Sequence, residues 1–280
     1  MRKSKYRIAL AQMNSGADRA ENLKKAEEYI RRAAARGVEL IAFPEVMDYF
    51  GPDLAGHAQS AEGETISFLR EQAAKYGMHI HSGSMTERQP GGRAGNTSFL
   101  IGPNGDILGC YSKLHLFDVD LKNGFSYRES DTISGGHDIS VIDTPLGRIG
   151  LAICYDLRFP ELFRLMALEG AELILLCANF TESTGRAHWE TLLRARAIEN
   201  TCYVAAVGQC GQKKDYRSHG HSMLIDPWGE VTASLENEEG LLTGEVDPDR
   251  IRQVREQIPS LRNRRTDVYA LQCKNRKKGT

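Results

Sequence analysis

The stretch GRIGLAICYDLRFPELFRLMALEGAELILLCANF, residues 147–180, reads as strand, helix, strand. GRIGLAIC is strand-like, RFPELFRLMALEG (158–170) is helical, and AELILLCANF (171–180) has the near-continuous apolar run of a strand buried on both faces. Short connections between such elements favour a parallel strand pair with a right-handed crossover. The same step recurs on either side. YRIALAQM (6–13), a helix capped by Asp18 and closed by Gly37, and VELIAFPEV (38–46) form one βαβ unit. TISFLREQAAKYG (65–77) leads into MHIHSGSM (78–85), and RAHWETLLRARAIEN (186–200) leads into TCYVAAVGQ (201–209). Turns at Pro103-Asn104-Gly105, Leu146-Gly147 and Pro227-Trp228-Gly229 join antiparallel neighbours, so the sheets are mixed. The pattern predicts one α/β domain over residues 1–250 with strands covered on both faces. From Arg250 to Thr280 ten Lys and Arg face two acids, so 251–280 reads as a basic tail.

The chain's 280 residues, 41% of them apolar, can bury a single large core. With 36 Lys+Arg against 37 Asp+Glu, neither disorder nor a uniformly basic nucleic-acid binder is indicated. No window approaches the roughly 18 apolar residues of a membrane span, and the basic start runs straight into a strand pattern. A cytoplasmic protein without membrane or nucleic-acid partners is expected. Cysteines stand at 110, 154, 177, 202, 210 and 273 with no CxxC, which argues for reduced, mostly buried thiols rather than disulfides or a zinc ribbon. His79/His81 and His219/His221 each share a strand face, as a metal site could require, but neither pair has an obvious third ligand nearby. GxxxxGK[ST], GxGxxG and HExxH are all missing. No metal or organic cofactor is expected.

Cys154 stands apart from the other cysteines. It ends the apolar run Leu151-Ala152-Ile153 and precedes a helix opening near Pro160, so it belongs at the carboxyl edge of a sheet, where α/β folds bind ligands. A helix N-terminus there would favour a thiolate. Glu45 follows the run Val38–Ala42 at an equivalent strand end, and Lys113 lies where the strand YSKLH runs out. A carboxylate can take a thiol's proton, and a fixed ammonium can stabilise an oxyanion. Taken singly, the plainer readings are a core cysteine, a capping glutamate and a surface lysine.

The motifs FPE (43–45), YSKLHLFD (111–118), GLAICYDLRFPEL (150–162), AHWETLLRARAIEN (187–200) and GHSMLIDPWGEV (220–231) together resemble the nitrilase, or carbon–nitrogen hydrolase, superfamily. The resemblance covers nearly the whole chain. It implies Cys154 as nucleophile, Glu45 as general base, Lys113 as the oxyanion cation and Glu129 as the second glutamate that holds lysine and substrate. It also implies an α-β-β-α sandwich that forms a homodimer or higher oligomer across the helices after Cys154 and Ala187, with the tail packed on the partner subunit. The branch most resembled is that of small-metabolite amidases, ω-amidase and deaminated glutathione amidase. The implied function is hydrolysis of a small carboxylate-bearing amide through a thioester. Tyr155 would give a backbone N–H to the oxyanion, Phe180 and Thr181 would line the pocket, and Arg158, Arg186 and His115 are candidates for the substrate carboxylate. An N-carbamoyl amine or amino acid hydrolase is the alternative; an inactive relative binding acidic partners through its tail, and a papain-like Cys/His hydrolase, are more distant ones.

Overall fold

The computed structural model describes residues 4–89, 91–120 and 126–274. The first half runs β1 (Tyr6–Gln12), α1 (Arg19–Ala34), β2 (Leu40–Ala42), α2 (Glu64–Tyr76), β3 (His79–His81), β4 (Met85–Arg88), β5 (Ala94–Ile101), β6 (Ile107–Ser112), β7 (Asp118–Asp120), β8 (Ser126–Arg128) and β9 (Ile133–Ser134). The second half runs β10 (Val141–Thr144), β11 (Gly147–Ile153), α3 (Pro160–Leu168), β12 (Leu173–Ala178), α4 (Glu182–Asn200), β13 (Tyr203–Gly208), β14 (Met223–Ile225), β15 (Val231–Ser234), β16 (Gly240–Val246) and α5 (Pro248–Gln257).

One large sheet has the order β16-β1-β2-β3-β5-β4, with β6 and β9 also paired to β5; a second has the order β10-β11-β12-β13-β14-β15, and β7 and β8 form a separate two-stranded ribbon. Both large sheets are mixed. β1, β2 and β3 run parallel, as do β11, β12 and β13, and the flanking pairs are antiparallel. Period-two alternation explains the layering. Along β1, Ile8 and Leu10 enter the core that also holds Leu151, Leu173 and Val204 of the other sheet. Ala9 and Ala11 face the opposite way, into a core with Leu23, Ile30, Ile66 and Leu69 of α1 and α2. Phe163, Met166, Trp189 and Leu193 of α3 and α4 cover the outer face of the second sheet. The result is an α-β-β-α sandwich, as expected.

Several boundaries moved. β2 has only three residues because Phe43-Pro44-Glu45 leaves the sheet in a turn. Gly83 lets that turn pass: it adopts φ +65°, and a Cβ there would lie 2.0 Å from the Pro44 carbonyl oxygen. Residues Cys154–Arg158 form a 3₁₀ turn, so α3 begins at Pro160 and no α-helix opens at Cys154 itself. α4 starts at Glu182, before the expected 186.

The sequence reading missed β16 and α5. β16 pairs antiparallel with β1 from Tyr6↔Val246 to Gln12↔Gly240. α5 is capped by the Asp247 carboxylate, which accepts from the Asp249 N–H, and it buries Ile251 and Val254. The boundary expected between residues 250 and 251 therefore falls inside a helix anchored in this chain's own core. Part of the basic tail, including Arg276, Lys277 and Lys278, lies outside the described residues. Cys154, Cys177, Cys202 and Cys210 are buried thiols; Cys110 is exposed and Cys273 half-buried, so those two are not core residues. Among the described residues no helix is long and apolar enough to cross a membrane.

Candidate active site

The carboxyl ends of the parallel strands in both sheets meet at one edge, where an isolated parallel bridge links Met13 to Gln209. A cavity of about 680 Å³ opens there, and Glu45, Lys113, Glu129 and Cys154 all line it. Cys154 has φ +49°, a left-handed backbone conformation uncommon for a residue with a Cβ. Asp156 holds the turn in place: its Oδ2 accepts the Ile153 N–H at 2.9 Å and the Tyr111 hydroxyl at 2.7 Å. Its Oδ1 accepts the His115 backbone N–H at 3.2 Å and bonds His115 Nδ1 at 2.7 Å. One buried carboxylate thus fastens the Cys154 turn to the chain on both sides of Lys113.

Lys113 is 2% exposed, and its Nζ donates to Glu45 Oε1 at 2.9 Å and to Glu129 Oε2 at 2.9 Å. Burial is the strongest single influence on the ammonium and pulls its pKa down, but the two carboxylates together outweigh it and hold it well above the usual lysine value. Lys113 stays charged. Glu45 also accepts the Asn179 N–H at Oε2, 2.9 Å away, and Glu129 Oε2 accepts the Phe117 N–H at 2.7 Å. Burial first, then the neighbouring Glu45 carboxylate, push the Cys154 thiol well above the usual cysteine value, against smaller opposing pulls from Lys113 and the Asn179 N–H. A thiol in such a setting is protonated at rest and reaches its nucleophilic form only through a base, and Glu45 in the same cavity wall can serve as one.

Asn96 is a residue the sequence reading missed. Its Nδ2 donates to Glu45 Oε1 at 2.9 Å and to Glu129 Oε1 at 3.3 Å, bridging the two carboxylates. The signal was present in β5, where polar Asn96-Thr97-Ser98 lies in a strand buried throughout. Gln209 was missed too: its Nε2 donates to the Glu45 carbonyl at 2.9 Å and so fixes the backbone of that residue.

Of the other expected residues, Tyr155, Arg158, Phe180 and Thr181 line the cavity. Arg158 lies over the rings of Tyr155 and Phe180, at 5.9 and 5.4 Å. Arg186 does not reach the cavity. It points to solvent from α4 and pairs with Glu182 one turn earlier at 2.7 Å. His115 is also outside the lining, bonded to Asp156 and stacked on Phe159 with ring centroids 3.6 Å apart. The histidine pairs have other roles: His81 Nε2 bonds Ser98 Oγ at 2.7 Å, and His219 stacks on His221 at 4.1 Å. Among the described residues no group of three or more His, Cys, Asp or Glu is placed to hold a metal ion.

The carbon–nitrogen hydrolase family profile matches residues 7–256. A deaminated glutathione amidase from Synechocystis sp. is 42% identical over 266 residues, covering 92% of this chain and 98% of the relative. The omega-amidase NIT2 of Homo sapiens is 36% identical over 272 residues, covering 96% and 98%. The crystal structure of the C. elegans NitFhit protein superposes with a TM-score of 0.90 at 37% identity, covering 97% of this chain and 68% of that one.

Proposed function

This chain belongs to the carbon–nitrogen hydrolase family and is a hydrolase of carbon–nitrogen bonds other than peptide bonds, an amidase; from that premise we propose a cysteine-dependent reaction on a small carboxylate-bearing amide, of the ω-amidase or deaminated glutathione amidase type. The observation that carries the mechanism is that one carboxylate, Glu45, binds the Lys113 ammonium and shares with it and the Cys154 thiol the wall of one cavity. Glu45 takes the thiol proton and the sulfur attacks the amide carbon. Lys113 and the Tyr155 N–H stabilise the oxyanion. Glu45 then returns its proton to the leaving nitrogen, ammonia departs, and a thioester to Cys154 remains. Glu45 next takes a proton from water, hydroxide adds to the thioester, and collapse releases the carboxylic acid and restores the thiol. Glu129 and Asn96 keep Lys113 and Glu45 in register throughout.

Ammonia release from a panel of amides tests the activity. Cys154→Ala is expected to lower turnover by at least about 10⁴-fold with the fold intact. Glu45→Gln removes the base of both steps and should lower turnover by at least roughly 10²-fold, and any acyl adduct on Cys154 seen by intact-mass analysis should both form and decay slowly. A wild-type rate of thioester breakdown in that variant would refute Glu45 as the base of the second step.

The assembly belongs to the same proposal. Leu168 at the end of α3, Ile198 on α4 and Trp228 are all exposed, as are Ile258, Val268 and Tyr269 beyond α5. These apolar groups support a two-fold dimer across α3 and α4 with residues 258–274 on the partner subunit.

A further inference from the structure

Lys213 lines the same cavity and belongs to none of the steps above. It is 7% exposed, yet among the described residues its Nζ donates only to uncharged acceptors: Asn14 Oδ1 at 2.8 Å, the Ser15 carbonyl at 3.0 Å and Gln209 Oε1 at 3.1 Å. The Phe50 ring lies 5.0 Å away. Lys113, by contrast, is buried against two carboxylates. Burying an ammonium without a counter-ion costs stability, so a neutral side chain would serve better if Lys213 only braced the loops.

The remaining charges of the cavity wall point to the missing partner. Apart from Glu45, Lys113 and Glu129, the charged lining residues are Arg158, Lys213, Lys214 and Asp215. Arg158 is spread over two ring faces and donates to His188 Nδ1 at 3.2 Å. Lys214 is exposed and screened by water. Among the described residues, Lys213 alone combines a cavity position, burial and a charge that no carboxylate bonds.

We propose that Lys213 is the residue by which this cavity selects anionic amides, its buried ammonium supplying the counter-charge for a carboxylate on the substrate. The assignment rests on the amidase reading above and names the group behind its preference for acids. Burial pulls the Lys213 pKa down to about 8. The titratable groups around it do not offset this: the Cys210 thiol is itself pushed up to about 11, and Lys25 and Glu239 pair with each other at 2.9 Å. The attraction should therefore fade as pH rises through about 8 and the free enzyme loses that charge.

The test compares glutaric monoamide, an anion, with glutaric diamide, its neutral counterpart, as kcat/KM per amide bond. Wild type should favour the monoamide, and the ratio should fall above pH 8. Lys213→Gln should lower the ratio by at least roughly tenfold, the scale of losing one close charge in a poorly solvated site. Lys213→Arg, which cannot deprotonate, should keep the ratio high and flat to alkaline pH. Because Gln209 also contacts Glu45, any loosening of the loops would slow both amides together and leave the ratio unchanged. A ratio unaltered in Lys213→Gln, or one abolished by Arg158→Gln alone, overturns the assignment while the acidic-amide reading stands. A wild-type enzyme that prefers the diamide overturns both.

Discussion

Asp156 accepts the Tyr111 hydroxyl at 2.7 Å, and with that bond the turn of Cys154 and the strand end of Lys113 become one unit. Tyr111 and Asp156 are 45 residues apart in sequence, so no local signal sets this distance. The carboxylate also serves the Ile153 and His115 N–H groups. Asp156→Ala would leave buried donors without an acceptor, at an expected cost of at least about 3 kcal/mol in unfolding free energy. Tyr111→Phe is the milder change: kcat should fall by roughly tenfold or more while KM stays nearly constant, because the displaced groups act mainly in the transition state. A KM effect without a kcat effect would show that the bond does not set the reacting geometry.

Asn96 and Lys113 hold the same two carboxylates, but only Lys113 brings charge. Lys113→Ala should therefore cost at least roughly 10²-fold in kcat, the scale of losing an oxyanion donor. It should also destabilise the fold, since Glu45 and Glu129 would face each other without a cation. Asn96→Ala should cost less in both respects. Parallel measurements of kcat and urea unfolding would check the order, and a larger loss in Asn96→Ala than in Lys113→Ala would contradict it.

The frame of the site was legible before the structure because the residues of the proposed site sit at the ends of strands, and apolar runs help to mark where strands end. Cys154 and Glu45 come at the ends of such runs, and Lys113 lies where a hairpin strand runs out. Arg186 and His115 misled for a related reason: proximity in sequence to a site residue does not give direction, and Arg186 lies on the solvent side of α4. Asn96 and Lys213 were invisible as site residues because they reach the cavity from a separate strand and loop, and Gln209 because it acts only on the backbone of Glu45. Their partners are set by how the two sheets stack, which residue type alone does not encode. α5 was hidden by its charge: PDRIRQVREQ is so polar that only Ile251 and Val254 disclose a buried face.

Two buried histidines predict an acid-side loss of stability. Burial holds His81 down at about 3, and burial with the neighbouring His221 holds His219 down at about 4. In the unfolded chain both titrate near 6.5. The unfolded state therefore takes up protons first as pH falls, and each histidine draws stability away below about 6.5, at up to about 1.4 kcal/mol per pH unit. The loss should level off near pH 4 for His219 and near pH 3 for His81. Thermal unfolding across this range should show a steeper fall in wild type than in His81→Gln, and identical slopes would count against the assignment.

The tail offers a test of assembly once the cut is placed by the structure. Removing residues from 251 onward would take Ile251 and Val254 out of the core and unfold part of the chain whatever its oligomeric state. Ending the chain after Gln257 keeps α5 whole and deletes the exposed anchors Ile258, Val268 and Tyr269. If these anchors dock on a partner subunit, the shortened chain should dimerise more weakly in sedimentation equilibrium and lose activity at low protein concentration. The loss should be recovered as concentration rises, by mass action. An intact dimer with full kcat after this cut would mean that the interface is built from α3 and α4 alone. A monomeric full-length chain with undiminished activity would remove the dimer from the account altogether.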